Sequence, residues 1–165
     1  MQHNRGQRPH RGSRGADHPG TRPLRMPQPQ PLQYYVLVEG KADKRTLQPG
    51  LLEETERLAQ EIAEVPASQL RRFYGDVVAF ARRLDLDRTI SNEAIRTQLA
   101  LLKARAAYAY KRVEGRQQAQ FPEPLLRFFV DHAAAVQDRA DYAAFRRIFE
   151  TLIAFHKFHE KKGRG

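Results

Sequence analysis

SQLRRFYGDVVAFARRL, residues 68–84, has a clear helical pattern, and the prediction of the fold starts from it. Its apolar residues recur at intervals of three and four, which is the spacing of one buried face on an α-helix. Fully burying each large apolar side chain contributes roughly 1.5–3 kcal/mol, so such a face favours packing against other helices. The residues of this face are Leu70, Phe73, Val77, Phe80, Ala81 and Leu84.

Helical patterns continue on both sides of this stretch. Pro66 is expected to end the preceding helix, because proline cannot donate to the helical hydrogen-bond ladder, and Ser68 is the expected N-cap of the next one. Asp138, with Asp141 three positions later, predicts the capped start of the last helix. The predicted helices are 51–65, 68–84, 91–113, 122–136 and 138–160. Their short connections favour antiparallel neighbours, so we predict an all-α fold, a compact bundle of about five helices.

The chain before the bundle has a different composition. Residues 1–32 are rich in Arg, Pro and Gly and have few large apolar side chains, so we predict a disordered basic tail. Residues 34–38, YYVLV, are the only β-like run. A lone strand has no partner, so no sheet is predicted. We therefore divide the chain into a tail (1–32), an extended linker (33–50) and a helical bundle domain (51–162).

The net charge of +10 predicts attraction to polyanions. Half of the excess lies in residues 1–32, which contain six Arg and one Asp, whereas residues 51–165 contain 20 basic and 16 acidic residues. The bundle is therefore only mildly basic, and a nucleic-acid role depends on where its cations lie. The absence of cysteine excludes disulfides and thiolate zinc sites. No apolar run approaches the roughly 20 residues that span a bilayer, so we expect a cytoplasmic protein without a membrane partner.

The sequence offers little catalytic chemistry. It contains no glycine-rich phosphate loop, nucleophile elbow or zinc-binding HExxH sequence. His156 and His159 have a spacing that suits a transition metal, but no third ligand is evident. The alternative is a structural role or a contact with RNA or a partner. We therefore expect no enzyme, no metal and no cofactor.

Cationic residues recur at helical spacing beside the apolar faces. Arg82 and Arg83 follow Arg71 and Arg72 on one helix, and on the last helix Arg146, Arg147 and Lys157 share the side away from Phe145. Arginine forks suit phosphate oxygens, and interleaved tyrosines can stack on bases. From the residues alone, the favoured interpretation is ordinary solvent-exposed charge.

Three stretches together resemble a known family, the small subunit of the type III-A CRISPR effector (Csm) complex. SQLRRFY at 68–74 resembles its SQ-x-R-K-F opening, and LLKARAAYAYKR at 101–112 resembles its central helix. FETLIAFHKF at 149–158 resembles its closing signature. The likeness covers about 65–162 in matching order and spacing. The leader and the 34–38 run are not part of the pattern, and His159 replaces an expected aromatic residue.

The resemblance implies a non-catalytic helical subunit, present in several copies stacked head to tail, that binds and positions crRNA and target RNA for antiviral defence. The implied partners are other copies of itself, the backbone subunit that cleaves target RNA and the large polymerase-like subunit that makes cyclic oligoadenylate. With this resemblance, RNA contact becomes the preferred role of the cations. The candidate RNA-binding residues are Arg71, Arg72, Lys103, Arg105, Lys111, Arg112 and Lys157.

Two alternatives remain open at this point. A helical protein–protein adaptor would use the same amphipathic helices without touching RNA. A helix-turn-helix DNA-binding protein would need a turn of three or four residues before its recognition helix, and residues 65–67 are short enough to form that turn.

Overall fold

The computed structural model describes residues 25–113 and 118–160, apart from the side chains of Asp43 and Gln118. The all-α prediction is confirmed, since five α-helices dominate these residues and a small β-hairpin precedes them. The elements are β1 (Tyr35–Val38), β2 (Lys41–Leu47), α1 (Pro49–Glu61), α2 (Ala67–Leu86), α3 (Asn92–Arg112), a 3-10 turn (Gln118–Gln120), α4 (Glu123–Ala135) and α5 (Arg139–His159).

Side-chain caps begin α3 and α5, and the cap of α5 at Asp138 was predicted. The Ser91 hydroxyl accepts a hydrogen bond from the Ala94 N–H at 3.2 Å at the start of α3. The Asp138 carboxylate accepts from the Asp141 N–H at 2.9 Å, and Asp141 in turn accepts from the Gln137 N–H at 2.9 Å. These bonds satisfy backbone donors that have no partner inside the helix.

The junction between α1 and α2 differs from the prediction. The first helix ends at Glu61 instead of residue 65, and Pro66, rather than Ser68, is the N-cap of α2. Ile62 and Val65 are almost fully buried in the intervening turn. The helix thus ends several residues before the proline, where these two side chains are buried in the core. The local sequence does not reveal this end, because it depends on tertiary packing.

The prediction that no sheet forms was wrong. Strands β1 and β2 pair antiparallel, with Tyr35 opposite Leu47 and Leu37 opposite Arg45, and Gly40 has a φ of +73° in the connecting turn. A positive φ is readily adopted only by glycine. The second strand reads KADKRTL, so it lacks the apolar alternation by which strands are recognised. The hairpin falls within the stretch 33–50; the division of the chain into domains stays a prediction.

An aromatic cluster holds the helices together. Helix α5 packs between α1 and α2, and α4 packs on α3. Phe129 of α4 lies 4.8 Å from Phe73 of α2 and 5.7 Å from Phe149 of α5, measured between ring centroids. Phe128, its neighbour on α4, lies 6.1 Å from Phe145. Aromatic pairs at such distances add about 0.5–1.5 kcal/mol each to the effect of burial.

The segment that enters the hairpin lies against α4. The Gln30 N–H donates to the Asp131 carboxylate at 2.8 Å, and buried Tyr34 pairs through its hydroxyl with Nδ1 of His132 at 2.7 Å. Burial lowers the pKa of His132 to about 3, so its imidazole is neutral at pH 7. The disorder predicted for residues 1–32 stays untested for 1–24, which lie outside the described residues.

Acid should destabilise the fold through His132. Its pKa is depressed in the folded state, and unfolding returns it to about 6.5. The unfolded chain therefore binds the extra proton between about pH 6.5 and 3, and the free energy of unfolding falls by up to about 1.4 kcal/mol per pH unit as the pH drops through this window. Urea titrations at several pH values measure this slope.

The double variant Tyr34→Phe/His132→Phe is the control, because it replaces both partners with apolar rings and leaves no buried polar atom unpaired. We expect its slope to be shallower than that of the original chain by the contribution of one histidine. Equal slopes in the two proteins would contradict a neutral His132.

Arg139 ties α5 to the end of α2. Its guanidinium donates to the carbonyl oxygens of Leu84 at 2.6 Å, Asp87 at 2.9 Å and Ile90 at 3.0 Å. A hydrogen bond to a charged group contributes about 1.5–3 kcal/mol, whereas an exposed ion pair contributes about 0–1 kcal/mol.

We therefore expect Arg139→Met to lower the free energy of unfolding by about 2–3 kcal/mol. The matched control is Arg127→Met, which removes the exposed pair between Arg127 and Glu123 and should cost about 0.5 kcal/mol, as helical pairs four residues apart do. Denaturant unfolding of both variants checks this. Equal losses would show that the three carbonyl bonds add nothing.

Candidate nucleic-acid interface

An open groove of about 590 Å³ separates α2 from α3. Its floor and walls combine apolar side chains with two arginines, and the residues that line it are Asp76, Ala79, Phe80, Arg83, Gln98, Leu101, Leu102, Ala104, Arg105 and Tyr108. The short connection makes the helices antiparallel, so the C-terminal end of α2 faces the N-terminal half of α3.

Arg105 is held in a fixed direction in this groove. Its guanidinium forms an ion pair with Asp76 of α2 and lies 5.3 Å from the ring centroid of Phe73. Both partners of the ion pair are more than 40% exposed, so the pair contributes only about 0–1 kcal/mol to stability. Its main effect is on orientation, because a guanidinium has five N–H donors and the pair leaves some of them for a ligand.

Tyr108 stands at the rim of the same groove with 70% of its surface exposed, and Leu101 is 57% exposed. An exposed tyrosine ring can stack on a nucleic-acid base. The helical register places Arg72 one turn before Asp76 on α2 and Arg112 two turns after Arg105 on α3, and both are exposed. Three of the seven predicted residues, Arg72, Arg105 and Arg112, therefore follow this groove.

The other four predicted residues lie elsewhere. Lys111 lines a hollow between α3 and α4 together with Tyr110, and the half-buried Lys103 precedes Tyr110 by two turns on the same edge of α3. Arg71 and Lys157 lie near the C-terminal end of α5, where the Lys157 ammonium pairs with Glu160 at 3.0 Å.

The hydrogen bond from Lys157 lowers the pKa of Glu160, and the charges of Lys157 and Arg71 lower it further. Arg71 and Lys157 are therefore both near the Glu160 carboxylate, which only Lys157 contacts among the described pairs. The structure thus distributes the predicted cations over three faces instead of one row.

A second groove, of about 540 Å³, runs between α2 and α5. The arginines along it are Arg88, Arg139, Arg146 and Arg147, none of which is among the seven predicted positions. The recurrence of Arg139, Arg146 and Arg147 after seven and eight residues was a visible signal. This spacing alone did not reveal a groove. The groove forms because α2 packs on α5, which brings Arg88 to the same surface as the three arginines of α5.

The two C-terminal histidines do not assemble a metal centre. His156 is 1% exposed, and the Nε2 atoms of His156 and His159 are buried without a hydrogen-bond partner. Residues 25–113 and 118–160 contain no group of three His, Asp or Glu side chains that could hold a metal ion.

The part of the chain that the structure describes can also be compared with helix-turn-helix proteins and with proteins that span a membrane. Five residues separate α1 from α2, which is longer than the turn of three or four residues in a helix-turn-helix. None of the helices in the part that the structure describes is long and apolar enough to cross a membrane.

Comparison with known proteins adds the family. Searches of curated proteins and of solved structures found no match. A family model described as Csm2 Type III-A matches residues 47–162, which begin at the last residue of β2 and include all five helices. The chain belongs to the Csm2 Type III-A family, that of a small subunit of the type III-A Csm complex.

Proposed function

We propose that this small subunit binds and positions crRNA and target RNA without catalysing a reaction. The observation that carries the proposal is Arg105, fixed by Asp76 and Phe73 in an open groove beside the exposed Tyr108. A guanidinium whose direction is already set loses less side-chain entropy when it binds a phosphate. In this proposal the protein is cytoplasmic, and its partners are other copies of itself and the backbone and large polymerase-like subunits.

The chemistry of the groove fits a guide-directed complex. Base pairing reads the sequence in such a complex, so a protein subunit needs contacts with the sugar-phosphate backbone and with stacked bases rather than with base edges. Arg72, Arg105 and Arg112 supply the charge, and Tyr108 supplies a ring. Lys103 and Lys111 on the α4 side, and Arg71 and Lys157 at the end of α5, would contact other parts of the RNA.

A protein–protein adaptor is the second candidate. It is favoured by Leu101 and Tyr108, because large exposed apolar side chains beside a groove are also typical of protein contacts. The two functions predict different effects of a charge reversal at the rim of the groove. RNA binding predicts a loss of RNA affinity, whereas the adaptor predicts a loss of assembly.

We expect the double variant Arg72→Glu/Arg112→Glu to weaken the binding of target RNA by the reconstituted Csm complex at least roughly tenfold, since two phosphate contacts become repulsive. Both residues are exposed, so thermal unfolding should be nearly unchanged. Fluorescence anisotropy with labelled target RNA measures the affinity, and size-exclusion chromatography measures assembly.

The matched control is Arg57→Glu/Arg127→Glu, which changes the net charge equally but lies on α1 and α4. An intact complex with unchanged affinity in the Arg72/Arg112 variant would contradict RNA contact through this groove. Loss of assembly with unchanged RNA affinity of the free subunit would favour the adaptor.

Salt dependence tests the number of phosphate contacts. If one copy makes about five of them, the slope of roughly −0.7 per contact for single strands predicts about a hundredfold loss of affinity between 50 and 200 mM salt. Anisotropy titrations of single-stranded RNA at several salt concentrations give the slope. A flat dependence would rule out phosphate contacts as the source of affinity, and cleavage of that RNA by the subunit with added divalent metal would contradict the non-catalytic role.

A further inference from the structure

The groove between α2 and α5 is cationic, and the proposed function does not use it. Its floor is made of small or buried side chains, namely Ala81, Ala140, Ala143 and Tyr142, and its sides carry four arginines against two carboxylates, those of Asp85 and Glu150. The excess of positive charge along an open trough favours an extended anion.

Three of these arginines are available to a ligand. Arg139 is occupied by the three carbonyl oxygens at the end of α2. Arg88, Arg146 and Arg147, in contrast, form no hydrogen bond or ion pair with any residue that the structure describes. Arg88 and Arg147 are exposed, and Arg146 is half-buried.

The β-hairpin extends this surface. The Tyr35 hydroxyl donates to the carbonyl of Ala140 at 2.7 Å, and Ala140 is part of the groove. Arg147 lines the groove and also a hollow that it shares with Leu47, the last residue of β2. The cations of β2, which are Lys41, Lys44 and Arg45, are exposed, and they lie on the strand that ends at this hollow.

The lining of the groove indicates which part of a polyanion it fits. Tyr142 is buried, and its hydroxyl donates to the carbonyl of Val77 at 3.0 Å, so its ring is not available for stacking. The α2–α3 groove differs, because Tyr108 is exposed there. A surface with arginine forks and no free aromatic face suits phosphate oxygens and does not discriminate between bases.

We propose that the α2–α5 groove and the hairpin form a second nucleic-acid surface, which binds the ribose-phosphate backbone independently of base sequence. That the polyanion is RNA rests on the proposed function, whereas the site itself rests on the unpaired arginines and the attached hairpin. Most of the hairpin precedes residue 47, where the family match begins. The part of this surface that the hairpin supplies therefore lies outside the region that the family model matches.

Two variants of the full-length chain test the surface. The groove variant is Arg88→Gln/Arg147→Gln and the hairpin variant is Lys44→Gln/Arg45→Gln; Arg57→Gln/Arg127→Gln is the control with equal loss of charge. All are read by anisotropy with labelled oligouridylate and oligoadenylate of equal length. Neutralising exposed residues should leave thermal unfolding within a small shift, which is measured alongside.

We expect the groove and hairpin variants each to bind both oligonucleotides roughly tenfold more weakly at physiological salt, and the salt slope to become shallower by about 1.4 for two lost contacts. The control should change little. Unchanged affinity in both variants would overturn the proposal, and so would a loss confined to one homopolymer, because that result means base reading.

The Arg72→Glu/Arg112→Glu variant separates this inference from the proposed function. If that variant loses RNA affinity and the groove and hairpin variants do not, the second surface is absent while the first stands. If the reverse holds, RNA binds here and not between α2 and α3. If the groove variant loses assembly of the complex at unchanged RNA affinity, the surface docks an acidic protein and the proposal is overturned.

Discussion

The aromatic residues of α4 pack against those of α2 and α5 in the centre of the helical bundle. Phe129 reaches Phe73 and Phe149 at once, and Phe145 and Phe149 are completely buried. Interiors pack at the density of organic crystals, so rings of this size fix the rotation of each helix about its axis. The grooves beside α2 follow from those rotations.

The position of α2 is the clearest consequence. With its aromatic face buried, α2 lies between α5 and α3 and leaves two edges at the surface. One edge forms the α2–α3 groove, where Asp76 orients Arg105. The other edge forms the α2–α5 groove, which Arg139 lines while it donates to the carbonyls of Leu84 in α2 and of Asp87 and Ile90 in the α2–α3 connection. The same helix thus serves two cationic grooves of different chemistry.

The N-terminal hairpin is attached to this framework by a few specific bonds. Tyr34 pairs with the neutral imidazole of His132 on α4, and Tyr35 donates to the start of α5. A two-stranded hairpin is at best marginally stable alone in water, so these anchors matter for its position. Through these bonds the charged hairpin, most of which precedes residue 47, contacts the helices that the family model matches.

Periodicity and capping are properties of neighbouring residues, so the amino-acid pattern alone predicted five helices, most of their buried faces and the cap at Asp138. It also led to the family, through three stretches inside the region that the family model matches. Only the tertiary structure decided which cations share a groove. Arg105 and Lys103 are two residues apart and face different helices, whereas Arg88 and Arg146 are far apart in the chain and face one trough. The pairing of β2 with β1 was also a tertiary matter, since KADKRTL has no strand pattern and its position depends on bonds to residues about a hundred positions away.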